Sequence, residues 1–184
     1  MSTHKTATNK ITILALFATL SLVIYSVESL LPPPIPIPGV KLGLANIITL
    51  VVLSAYSHRS AFLVLFVRIL LSALLFGQAM SLMYSIVGGL CCFLIMWGLH
   101  SLLKGRSLFL VSAFGAIAHN LGQLLVAYLL TSVPGVLVYL PFLLLSGTVT
   151  GIFTGLCASF TLRKLMPQAT HLPSFQAGDD DSLR

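Results

Sequence analysis

The chain is 184 residues long, 57% hydrophobic and only 8% charged, with a mean hydropathy of +1.03. A soluble domain carries about 25% charged residues, so this composition excludes a water-soluble fold and makes lipid part of the solvent. The formal charge of +6 does not point to nucleic acid, because the cations lie singly or in pairs between apolar runs rather than clustered on one face with aromatics.

A membrane-spanning helix needs about 20 mainly apolar residues. On that measure the sequence predicts an all-α polytopic membrane protein, a bundle of six transmembrane helices over residues 1–166, at about 11–31, 41–57, 60–77, 80–103, 108–131 and 135–163. The first run is longer than the roughly 7–15 residues of a signal-peptide core, and no A-x-A cleavage site follows it. It is therefore expected to stay as a helix.

The breaks carry turn chemistry. Pro32 to Gly39 is rich in proline, which lacks the amide hydrogen and favours polyproline II, so a stiff surface connector is expected there. Ser57–Ser60, Gly77-Gln78, Lys104-Gly105-Arg106 and Thr131–Gly135 close the other runs. The tail over 167–184 lacks apolar periodicity and is expected to be disordered and cytoplasmic.

Orientation follows from the cations. Lys5, Lys10, Arg59, Lys104, Arg106, Arg163 and Lys164 all fall on one side of a six-span layout, while Lys41 alone falls near the other. The positive-inside rule then puts both termini in the cytoplasm.

Polar groups inside a membrane are costly and face a cavity or a partner. Arg68 lies near the middle of the third span. Either its guanidinium receives a carboxylate or phosphate, or it pairs structurally with Glu28 or with helix carbonyls. Glu28, the only acid before the tail, lies close to the outer end of the first span, and Lys41 begins the second. The two can pair at the interface, yet Lys41 and Arg68 against Glu28 leave one cation in excess, which a bound anion would balance.

On the fifth span Ser112, Gly115, His119 and Gln123 recur at spacings of three and four and share a face, with Asn120 beside it. That stripe lines a pocket or bonds neighbouring helices. On the sixth, Gly147, Gly151 and Gly155 form small-xxx-small steps, which serve close packing inside the bundle or a face for a separate subunit. Ala15, Ala18 and Thr19 make a similar patch on the first. Cys91, Cys92 and Cys157 lie within apolar runs and read as small buried hydrophobes. No Walker loop, metal-ligand spacing or pair of acids within the membrane is present in the sequence. The expectation is of no catalytic residue, no metal and no cofactor, with any transport driven by a gradient or a partner.

At Pro36-Ile-Pro-Gly-Val-Lys-Leu-Gly-Leu-Ala-Asn46 a proline-rich loop runs into K-L-G-L-A-N. This resembles the bacterial Gx transporter family, whose members often carry the description heptaprenyl diphosphate synthase component I. The family is in turn similar to the substrate-binding S components of energy-coupling factor transporters. The resemblance implies a six-helix protein of the bacterial cytoplasmic (inner) membrane that captures a small solute, anionic or amphipathic, from the outer side. A coupling membrane subunit with ATPases would drive it, and Ala15, Ala18 and Thr19 would be the patch that meets that subunit. The proline-rich loop and the 41–46 segment, with Lys41, Gly43 and Asn46, would shape the mouth of the cavity, Glu28 would orient Lys41 or contact a cationic part of the solute, and Arg68, Tyr84, His119, Asn120 and Gln123 would lie deeper.

The alternative is a noncatalytic membrane component of polyprenyl diphosphate synthesis, with a soluble prenyl diphosphate synthase as partner. Such synthases hold magnesium and diphosphate through D-D-x-x-D motifs. Asp179-Asp180-Asp181 does not complete one.

Overall fold

In a computed structural model the backbone is described for residues 2–31, 41–76 and 79–165, with side chains from Asn9 to Lys164 within those ranges. The proline-rich connector, the Gly77-Gln78 break and the tail lie outside these ranges.

Six α-helices follow in the expected order: α1 Ser2–Leu30, α2 Asn46–Ala55, α3 His58–Phe76, α4 Ala79–Leu102, α5 Leu108–Thr131 and α6 Leu140–Leu165. Among the described residues, five segments are long and apolar enough to cross a membrane: those containing α1, α3, α4, α5 and α6. Their outward side chains are large and apolar, Leu16, Phe66, Leu74, Leu129 and Phe160 among them, each exposed by more than half. The protein is therefore an all-α polytopic membrane bundle, its outer surface matched to hydrocarbon rather than water.

The second helix differs from the expected 17-residue span. Only ten residues, Asn46–Ala55, are helical, a length of about 15 Å, half a hydrocarbon core. Asn46 and Ile48 to Leu53 are all buried, and α2 touches each of the other five helices. A helix that is apolar all round belongs in a protein interior. Hydropathy cannot tell lipid from protein as the apolar neighbour, which is why the run at 41–57 read as a full span.

What shortens α2 is the backbone at Gly43, whose φ of +82° is open to glycine at no steric cost. A Cβ there would also lie 2.8 Å from both Asn46 Nδ2 and His119 Cδ2. The chain turns, Asn46 N–H donates to the Gly43 carbonyl at 3.0 Å, and the helix begins. From there the chain runs antiparallel to α1. Gly43 and Leu44 meet Glu28, the Ser21 hydroxyl donates to the Ala45 carbonyl at 3.3 Å, and Tyr56 meets Phe17 edge to face.

A second departure lies at the start of the last span. Residues Pro134–Tyr139 form a 3-10 turn, and α6 begins at Leu140 with Pro141 in its first turn, where a missing amide hydrogen costs no helix bond.

Candidate functional site

The polar groups inside the bundle gather where the end of α1, the 41–46 segment and the middles of α3, α4 and α5 converge. Glu28 sits on the last turn of α1 and is 5% exposed. Its two carboxylate oxygens accept the Gly43 N–H at 2.6 Å and the Leu44 N–H at 3.0 Å. Successive backbone amides at a left-handed turn form a nest for an anion, and here the protein's own carboxylate fills it. Both Glu28 oxygens are thereby engaged by backbone.

Lys41 turns elsewhere. Its ammonium donates to Ser29 Oγ at 2.6 Å and lies 3.4 Å from the centroid of the Tyr25 ring, a cation–π contact. Its backbone N–H donates to Gln123 Oε1 at 3.2 Å, tying the segment to α5. Tyr25, Glu28 and Ser29 share one face of α1 through spacings of three and four. The Tyr25 hydroxyl continues the chain to Ser81 Oγ of α4 at 2.8 Å.

Arg68, on α3, is 3% exposed and borders the same tyrosine, its Cζ 5.9 Å from the ring centroid. Its Nε and Nη2 are buried without a hydrogen-bond partner. The structural pairing with Glu28 that the sequence allowed is thus not made through either atom.

Gln123 orients with its oxygen on Lys41 and its amide nitrogen 2.9 Å from His119 Nε2. An amide nitrogen only donates, so His119 accepts at Nε2 and carries its proton on Nδ1, which faces Gly88 with no partner in bonding geometry. Asn46 completes the ring from α2: its Nδ2 and Oδ1 are both buried and unpartnered, as is Thr49 Oγ1 one turn on. Glycines on α4 let these side chains approach its backbone. A Cβ at Gly88 would lie 3.0 Å from His119, and one at Gly89 3.7 Å from Arg68 Nη2.

The structure thus brings together Glu28, Lys41, Gly43, Asn46, Arg68, His119 and Gln123. Asn120 is turned away, its Nδ2 donating to the Leu143 carbonyl at 2.8 Å on α6, because one helical step of about 100° carries it past the site. Tyr84 packs in an apolar cluster with Leu124, Val126, Ala127 and Leu143. The stripe on α5 is divided as well: Ser112 bonds Thr154 of α6 at 2.8 Å, and Gly115 packs against Met96 and Cys92 of α4.

Gly147, Gly151 and Gly155 lie against α5 inside the bundle. A Cβ at each would press on α5, at Asn120 and Ile117, at Ala113, and at Phe109 respectively, so α5 already occupies that face. On α1, Ala15 and Thr19 are exposed but Ala18 is buried in the core, so the patch is split.

Tyr25, Ser81, Gly88 and Gly89 were not singled out from sequence. The spacing of Tyr25 from Glu28 was the available signal.

Comparison with known proteins places these elements in one family. The family model described as heptaprenyl diphosphate synthase component I matches residues 17–161, from α1 into α6. Neither the search of curated proteins nor that of solved structures found a match.

Proposed function

The chain belongs to the heptaprenyl diphosphate synthase component I family, and within it we propose that this member is a membrane solute-binding subunit, similar to an S component, holding a small anionic solute in the cluster around Arg68. The observation that carries the reading is electrostatic. The cluster holds two cations and one carboxylate, and that carboxylate is engaged by backbone amides while the Arg68 side edge has no partner. Buried charge of this kind is expensive unless something neutralises it.

In the orientation set by the positive-inside rule, both termini face the cytoplasm of a bacterial inner membrane and the 41–46 segment lies toward the outer side. Solute would enter there, past Lys41. Partner subunits, a coupling membrane protein with ATPases, would supply the drive, and the exposed Ala15–Thr19 edge of α1 is the part of the small-residue patch left open to them.

The family description favours a second reading, in which the chain is a membrane component of polyprenyl diphosphate synthesis working with a soluble synthase. A pull-down of the tagged protein from its native membrane in mild detergent, followed by mass spectrometry of the co-purifying proteins, separates the two. The expected outcome is a coupling membrane subunit with ATPases; recovery of a soluble prenyl diphosphate synthase instead would replace the first reading with the second.

A further inference from the structure

Among the five N–H bonds of an arginine, those of Nε and Nη2 lie along one edge of the guanidinium, parallel and spaced to meet the two oxygens of a carboxylate or phosphate. In Arg68 both of these atoms are buried and unpartnered, so the bidentate edge as a whole is open. Gly89 of α4 borders this edge, where a Cβ would stand 3.7 Å from Nη2 and 3.3 Å from Leu65 and Ile69.

On α2, where the Asn46 amide and the His119 ring both border Gly43, the requirements change. Asn46 has an unpartnered amide nitrogen and an unpartnered amide oxygen, and Thr49 an unpartnered hydroxyl, all buried. The amide oxygen can be satisfied only by a donor. A bare oxyanion would serve Arg68 and leave Asn46 Oδ1 stranded without a donor.

Below Asn46 and Thr49, α2 continues into Leu50, Val51 and Val52, packed in one core with Val64 and Leu65 of α3; all five are at most 1% exposed. That packing gives a long hydrocarbon chain no path down the axis of the bundle.

We infer that the solute is a compact polar acid, its carboxylate or phosphate held side-on by Arg68 Nε and Nη2 and its hydroxyl, amide or amine groups complementing the amide of Asn46. This rests on the solute-binding reading and narrows it to a chemical class. A long-chain prenyl diphosphate does not fit the class.

The test uses the full chain purified in detergent. Bound small molecules are extracted separately into water and organic solvent, identified by mass spectrometry and assayed for phosphorus, which distinguishes a phosphate from a carboxylate and a lipid headgroup from a soluble acid. In parallel, thermal unfolding is followed with added L-malate, glycerol 3-phosphate, farnesyl diphosphate or choline. Two variants accompany the wild type: Arg68→Lys keeps the charge and loses the edge, and Asn46→Leu keeps the volume and loses the amide.

The expected result is a water-soluble acid bound to the wild type, or stabilisation by malate or glycerol 3-phosphate but not by farnesyl diphosphate. Each variant that folds should then lose about tenfold or more in retained acid or in the apparent affinity of the stabilising probe, and Asn46→Leu decides alone should Arg68→Lys fail to fold. Bound inorganic phosphate with no hydroxyl, amide or amine group, or equal retention of the acid by both variants, would overturn the inference and leave the solute-binding reading standing, whereas a neutral or cationic solute, or a bound lipid or prenyl diphosphate, would overturn both. No bound molecule and no stabilising probe would overturn both.

Discussion

Along the seam between α5 and α6 the helices meet backbone to backbone at Gly147, Gly151 and Gly155, whereas α1 and the 41–46 segment meet through a carboxylate, an ammonium and a tyrosine ring. Lipid tails are as apolar as leucine, so no hydrophobic drive favours helix association inside a membrane; close packing of small residues and interhelical hydrogen bonds take its place. The α4–α6 side uses the first of these, with Gly122 also fitted against the backbone of Gly88. The α1–α2 side uses the second. Close packing of small residues, with the Ser112–Thr154 and Asn120–Leu143 bonds beside it, suits a fixed scaffold, while charged contacts suit the side through which a solute enters.

The largest effect should come from breaking the scaffold. A Cβ at Gly151 would stand 2.5 Å from Ala113 Cα and 2.9 Å from the Ser112 carbonyl oxygen, both backbone atoms that no rotamer change can move. Gly151→Leu should therefore cost more than the ~1–3 kcal/mol of ordinary overpacking and leave no monodisperse peak in detergent size-exclusion. Gly98→Ala on α4 is the control, since nothing lies within 4 Å of its Cβ. It should keep the profile and gain up to about 1 kcal/mol from helix propensity. Equal damage from both would show that close approach on α6 is not what holds the scaffold.

The polar side should respond more moderately and in a different property. Glu28→Gln preserves shape but offers a single acceptor oxygen where two amides converge, and its NH2 group opposes the other N–H. Hydrogen bonds to a charged group contribute about 1.5–3 kcal/mol each, so a loss of that order in detergent unfolding is expected. With the turn at Gly43 loosened, the variant should also bind solute more weakly, whereas a thermal midpoint unchanged from wild type would mean that the nest at 43–44 holds without its carboxylate.

How far each side could be read from sequence follows the same division. Hydropathy placed α3, α4 and α5 to within a residue or two, because each of those runs is long enough to span a membrane and is bounded by polar turns. It lengthened α2, since Leu50 to Leu53 look the same whether protein or hydrocarbon surrounds them. Glu28, Arg68, His119 and Gln123 were legible because a charge or an amide inside an apolar run is costly. Tyr25 and Ser81 were not, because tyrosine and serine enter membrane helices at little cost and draw attention only through their partners. Asn120 shows the remaining limit: a stripe read at helical spacing is right about the helix and can still assign one of its residues to the wrong neighbour.

The smallest effect tests whether the scaffold seam depends on polar contacts at all. Ser112 and Thr154 share a hydrogen bond of 2.8 Å between α5 and α6, and Thr154 Oγ1 also reaches the carbonyls of Thr150 at 2.9 Å and Gly151 at 3.2 Å. Removing the serine hydroxyl therefore strands nothing, because the threonine keeps an acceptor on its own helix. Interhelical side-chain bonds in membranes average about 0.6 kcal/mol, and Ser112→Ala should lower stability by no more than that. A cycle with Thr154→Val measures the coupling directly. A coupling near zero would leave the glycines and the Asn120–Leu143 bond to hold the seam, as the contrast with the α1–α2 side requires; a coupling above about 2 kcal/mol would mean that both sides of the bundle are held by polar groups and that the division between them is one of degree.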